Sequence, residues 1–312
     1  MSEPTNLQFP WARVSSKDLA LISFTLVVYD HAITIAEEID FFWRGPWSAS
    51  RILYLSIRYL AVTQVLCVFD FTPADSLFVL NYLLAFVIMV LCQCVVTLRV
   101  WHLFHRSRII RWFAAAVFIS SMIGTAIVAG LSFKNVKAVY EVTSSSAKTS
   151  SGPPEIFTIY LPSLIVHTVM FSLTMHRFRS SSRASSLQEH GIFHRILKEG
   201  MFMYAFAAGT LLYEIISLSM NNRKTVSVYY PALGGGLAVG TTVVSVCRAM
   251  LSIRSLAATY HVDPAWLLNH AELSRVQWRR GASEGEIYVE VDDLDRPPSE
   301  SLTLTAVSIG AK

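Results

Sequence analysis

Seven stretches of the chain are dominated by apolar residues: 19–36, 52–69, 77–98, 112–131, 156–175, 201–220 and 226–247. Polar or charged segments separate them. A helix needs roughly 20 mostly apolar residues to cross about 30 Å of hydrocarbon. The pattern therefore predicts an all-α integral membrane bundle of seven transmembrane helices. The first two stretches are the least apolar, because Asp30 and His31 lie in one and Arg58 in the other. Each Leu, Ile, Val or Phe contributes roughly −0.3 to −0.6 kcal/mol to insertion, and a central Asp or Arg costs about 2.5 to 3.5 kcal/mol. Nine such residues in 19–36 and ten in 52–69 bring both near zero, so the two insert best as a pair.

The flanks complete the organisation. Residues 1–18 form a polar N-terminal segment with no signal-peptide pattern. The transmembrane domain covers 19–250, and 251–280 is a juxtamembrane segment. Within it, Asp263-Pro264 reads as an N-cap with proline at the first helical position, opening a short helix over Pro264–Trp278. Residues 281–312 read as a disordered acidic tail, since Glu284 to Glu300 holds seven acids and one Arg with a Pro pair inside. Loop 143–154, TSSSAKTSSGPP, reads as flexible.

Composition agrees. Hydrophobic residues make up 53% of 312 positions and charged residues only 15%, too few to cover a soluble surface of this size. That excludes a disordered or nucleic-acid-binding chain and makes a lipid bilayer the first partner, in the plasma membrane or an endomembrane. Lys and Arg set the orientation. Loops 37–51, 99–111 and 176–200 hold two, four and five, and Arg248 and Arg254 follow the last stretch, giving 13. The other side holds 7. The N-terminus is thus expected outside and the C-terminus in the cytosol, against the local dissent of Glu37, Glu38 and Asp40. Cys67, Cys92, Cys94 and Cys247 all fall in or at the stretches, which leaves no outer disulfide.

In the first hairpin, Tyr29-Asp30 is followed by Thr34, Glu37-Glu38, Trp43-Arg44, Trp47-Ser48 and Arg58-Tyr59. This spacing resembles the N-terminal signature of a large multi-pass membrane family of mushroom-forming fungi, a domain of unknown function. Leu98-Arg99-Val100-Trp101 with Arg106-Ser107-Arg108 is similar to it as well. Ile57 departs from the polar Asn expected before the Arg-Tyr pair. The resemblance implies a seven-helix fold and no activity.

Ionisable groups inside spans are expensive and are functional candidates by default. Asp30 lies six residues before the end of its helix and Arg58 six after the start of the next, so both sit at about 9 Å depth. They are the candidate intramembrane ion pair. Glu214 is a candidate for pairing with Arg223 or Lys224, or for a pocket, together with His31. His167 is expected to make an interhelical hydrogen bond. Gly236-x-x-x-Gly240 in the last helix suits close packing with a kink, or a broken helix at a transport site. In RFRSSSRASS over 177–186, Ser180, Ser181, Ser182, Ser185 and Ser186 are candidate phosphorylation sites on a basic cytosolic loop.

No catalytic residue, cofactor or metal is assigned. His190 and His194 are four apart, but the paired histidines and histidine boxes of membrane metalloenzymes are missing, and the last stretch has no Lys for retinal. The expected class is a receptor-like, non-enzymatic protein with an unknown cytosolic partner for loop 176–200 and the tail. The alternatives are a transporter or channel subunit, or a scaffold.

Overall fold

A computed structural model describes residues 8–44, 47–69, 75–104, 107–145, 156–184, 191–220, 228–229, 232, 235–259, 277–280 and 287–290. Helix α1 (Gln8–Glu38) runs into a π-helical turn, Ile39–Trp43. Then follow α2 (Ala49–Phe69), α3 (Asp75–Leu103) and α4 (Arg108–Ser145). A 3-10 turn (Phe157–Ile159) leads into α5 (Leu161–Ala184), and α6 (Gly191–Ser219) and α7 (Leu237–Thr259) complete the bundle.

Among the described residues, six segments are long and apolar enough to cross a membrane: Asp18–Trp43, Phe78–Leu103, Arg108–Lys137, Phe157–Arg179, Gly200–Ser219 and Leu237–Ser255. The second expected span, 52–69, is helical but is not among the six; the side chains of its last three residues, Cys67, Val68 and Phe69, lie outside the described residues. The last expected span, 226–247, is displaced. Its continuous helix begins at Leu237 and runs on to Thr259, since Gly236 adopts a φ of +60° that ends regular winding on its N-terminal side. Helix α5 continues to Ala184, so Ser180, Ser181 and Ser182 lie on helical backbone rather than in a loop. Arg and Ala in that run are good helix formers. Ser185 and Ser186 lie outside the described residues, as do His190 and most of loop 143–154.

The segment read as a short helix and the tail read as disordered also contain a strand pair. β1 (Gln277–Arg280) and β2 (Ile287–Glu290) are antiparallel, with Trp278 opposite Val289 and Arg280 opposite Ile287. The β-branched and aromatic run Ile287-Tyr288-Val289 has strand propensity that the surrounding acids hide from a composition reading. The rest of 260–312 lies outside the described residues.

The helices are apolar almost all round, as lipid-facing helices are. Ile109, Leu131 and Phe202 project outward at 84%, 77% and 68% exposure, a surface that suits hydrocarbon rather than water. Within the crossing segments 22–39% of positions are buried in five cases and 67% in α7. Helix α7 is therefore the central element, packed against α1, α2, α3 and α6. The main core joins Tyr54, Ile57, Ile88, Cys92, Met170, Leu211 and Cys247. A second core at the opposite end joins Phe78, Val136, Ile156, Leu218 and Tyr229.

Two glycines allow α7 to lie close to α1. A methyl group at Gly235 would stand 2.6 Å from Leu19, and one at Gly240 would stand 3.4 Å from Val27. Gly236, half of the expected Gly-x-x-x-Gly motif, supplies the positive φ instead and has open space where a Cβ would be.

Candidate functional site

The buried positions of α1 follow one stripe: Ala20, Ser23, Val27, Asp30, Thr34 and Glu38. Steps of three and four keep them on a single helix face. The stripe starts small and apolar and ends ionic. It meets a matching stripe on α2, formed by Arg51, Tyr54, Ile57, Arg58, Ala61 and Gln64. Near the small-residue half, Ala20, Ser23, Gln64, Gly236 and Gly240 border a cavity of about 20 Å³. That is room for one water molecule.

Arg58 is the centre of the ionic half. Its Nη1 lies 3.4 Å from Asp30 Oδ2, and its Nε lies 2.6 Å from Glu38 Oε2. Its Nε also donates to His31 Nδ1 at 2.8 Å, and its Nη2 donates to the His31 carbonyl at 3.1 Å and to Thr34 Oγ1. Thr34 in turn donates to the Asp30 carbonyl at 2.6 Å. Asp30 holds a second cation from the far end of the sequence, with Arg248 Nε on α7 at 2.5 Å from Oδ1. Two carboxylates and two guanidiniums thus balance. Asp30, Glu38 and Arg58 are 3%, 0% and 3% exposed, so they are enclosed, whereas the Arg248 side chain is 39% exposed and forms the rim. Balance is what makes the burial tolerable, since an unpaired ion at such a position carries several kcal/mol of desolvation.

The π turn shapes the floor of this site. Its i→i+5 winding brings Trp43 back over Glu38, whose Oε1 accepts from Trp43 Nε1 at 3.0 Å and from Tyr59 Oη at 2.9 Å. It also buries Phe42, which stacks on Tyr54 at 3.8 Å between ring centroids. Arg254 of α7 lies over Phe42 at 4.5 Å and donates to the Phe41 carbonyl at 2.9 Å. Arg51 donates to the Trp43 carbonyl at 2.7 Å and lies over the Trp47 ring. The last helix is therefore tied to the first hairpin at two levels, through Arg248 and through Arg254.

The expected pair Asp30 and Arg58 comes together, with His31 beside it. Sequence reasoning missed Glu38, Arg248 and Arg254 as members. The Asp30, Thr34, Glu38 spacing of four was the available signal for Glu38. The other candidates lie elsewhere. Glu214 is buried on α6 and accepts from the Ala238 backbone N–H at 3.4 Å in the first turn of α7, while its second oxygen has no hydrogen-bond partner among the described residues. Arg223 and Lys224 lie outside the described residues. His167 is fully buried, and neither ring nitrogen has a hydrogen-bond partner among the described residues, contrary to the expected interhelical bond. That bond is made one turn earlier, where Gln93 of α3 donates to Ser163 of α5 at 2.7 Å and accepts from Ser121 of α4 at 3.3 Å. Among the described residues, no group of three or more His, Cys, Asp or Glu is placed to hold a metal ion.

No curated protein and no solved structure matches the chain. The segment similar to a known family contains Asp30, His31, Thr34, Glu38, Tyr54, Arg58 and Tyr59, that is, the whole α1–α2 half of the ionic site. Residues 19–63 match the Family of unknown function (DUF6533).

Proposed function

We propose that the chain is a seven-span, receptor-like membrane protein in which the ionic network latches the last helix, and the tail behind it, to the first hairpin. Packing supports the seventh span. The end of α1 lies with the C-terminal half of α7 through Asp30 and Arg248. The start of α3 packs with residues that precede α7, through Phe78 and Tyr229. Helix α2 joins those two ends, so it traverses the bundle, and its arginine is tolerated because α1 supplies the counter-charges. The basic asymmetry places the ionic end in the cytosol, where loop 176–200 and the tail would meet a partner.

The observation that carries the receptor reading is the double occupancy of Asp30. Arg58 holds it from inside and Arg248 holds it from the rim, so α7 can release, once Arg254 also leaves the π turn, while the hairpin keeps a counter-ion. An element with two such arrangements is what a ligand or partner can bias. The test is proximity labelling from the C-terminus, comparing wild type with the double variant Arg248→Gln and Arg254→Gln. A changed set of labelled cytosolic proteins supports the reading. The same set at the same intensities contradicts it.

One observation favours transport instead. Glu214 meets the start of α7 where Gly236 breaks the winding, and discontinuous helices of this kind border substrate sites in transporters. Solute or proton flux in proteoliposomes that Glu214→Gln abolishes would select that reading.

A further inference from the structure

A second set of arginines lies at the ionic end, away from the network, where α3, α4 and α5 meet. Trp101 and Phe104 are three residues apart near the end of α3, so their side chains are neighbours. Arg111 of α4 stands over Trp101 with Cζ 5.1 Å from the ring centroid, and Arg177 of α5 stands over Phe104 at 5.9 Å. The Nε of each is buried and has no hydrogen-bond partner among the described residues. Among the described residues of α3, α4 and α5, no acid lies at this end; the side chain of Glu199, at the start of α6, lies outside the described residues. The only acid in α3, Asp75, is at its other end, the first turn of α4 carries Arg108 and Arg111 and no acid, and α5 has none along its length.

The level of this site is marked by tryptophan. Trp112 packs edge-on against Trp101 at 5.9 Å and is itself 68% exposed toward the outside of the bundle. Tryptophan collects at the headgroup level of a bilayer, with its ring in the acyl boundary and its N–H toward water. Two guanidiniums stacked on aromatics at that depth, with no carboxylate beside them on α3, α4 or α5, have the chemistry of a phosphate site. Arginine cannot discharge itself by losing its proton. Its planar fork matches a phosphate's oxygens. Basic pockets between spanning helices on the cytosolic side hold anionic headgroups in this way.

We propose that Arg111 and Arg177, backed by Trp101 and Phe104, bind the phosphate of an anionic phospholipid drawn from the leaflet around this end of the bundle. The lipid supplies an anionic acceptor for the two guanidiniums, and its tail lies along Trp112 and the exposed Ile109.

The full-length protein in phosphatidylcholine nanodiscs tests this. Short-chain phosphatidic acid, short-chain phosphatidylcholine and inorganic phosphate are titrated separately, with tryptophan fluorescence and native mass spectrometry as readouts. Saturable binding of phosphatidic acid alone is expected. A surface Arg contributes about 1 kcal/mol toward an anionic lipid, which is about a fivefold change in affinity. Arg111→Gln or Arg177→Gln should each weaken binding about fivefold, and both together about 25-fold. The pair Arg111→Lys and Arg177→Lys keeps both charges and the fold but not the stacked fork, and should lose part of the affinity. Undiminished binding by either double variant overturns the proposal. Binding of inorganic phosphate as tight as that of the lipid overturns the lipid assignment in favour of a free anion.

Discussion

Replacing Arg58 by Gln removes the cation that, among the described residues, faces both buried carboxylates, and the damage should fall unequally on them. Asp30 keeps Arg248 at 2.5 Å, so it stays paired. Glu38 loses its only ion pair among the described residues and keeps just the neutral donors Trp43 and Tyr59. Removing one partner of a buried pair costs about 3–5 kcal/mol, because the other charge is left uncompensated. Arg58→Gln alone should therefore lower the unfolding free energy by about that much. Adding Glu38→Gln removes the stranded charge and should recover about 2 kcal/mol or more. Adding Asp30→Asn should recover little, since it strands Arg248 instead. SDS-titration unfolding in mixed micelles, run as two double-mutant cycles, measures both couplings. A larger coupling for Arg58 with Asp30 than for Arg58 with Glu38, or additive behaviour in both cycles, would refute the reasoning.

Three further outcomes follow from packing and charge. Gly235→Ala should destabilise by about 1–3 kcal/mol, because a methyl there would stand 2.6 Å from Leu19 Cδ2 and 3.0 Å from its Cβ; Gly209→Ala, with open space around it, is the control in the same unfolding assay. Glu214→Gln keeps the acceptor for Ala238 N–H and removes a buried charge with no ion pair among the described residues, so stability should hold or rise; a fall of more than about 1 kcal/mol would show that the charge itself is needed. Single cysteines placed in 143–154 and 177–186 should react with an impermeant reagent from opposite sides of the membrane, and reaction from the same side would remove the seven-span arrangement.

Much of the bundle was legible because hydrocarbon length imposes a visible pattern. The stretches at 77–98, 112–131 and 201–220 each fall on a helix long and apolar enough to cross a membrane, and 156–175 falls on the 3-10 turn and α5, which together are so as well. Boundaries were less legible, since apolar runs end at the bilayer but helices do not. Helix α4 extends past its apolar run at both ends, and α1 reaches Glu38 and then the π turn. That extension is why Glu38 was read as a loop residue. The cost of isolated charges exposed Asp30 and Arg58, which no apolar pattern explains. Arg248 was hidden by the opposite logic. At the end of the last span it looks like an ordinary member of the basic cytosolic rim, and only the fold, bringing α7 against α1, turns it toward Asp30. The displaced start of α7 was hidden in a run of glycines, where the positive φ of Gly236 leaves no mark beyond residue type.

The central claim is that Arg248 and Arg254 together latch α7 to the first hairpin and that their joint release frees the tail-bearing end of the helix. Spin labels carried on noncanonical residues at Ala49 and Ala258, both exposed and outside the network, report the separation of α2 from the end of α7 without touching the native cysteines. Pulsed dipolar spectroscopy on the full-length protein in nanodiscs should give one narrow distance distribution for wild type. Arg248→Gln combined with Arg254→Gln should add a second population at longer distance. A distribution for that double variant that overlays wild type would contradict the latch.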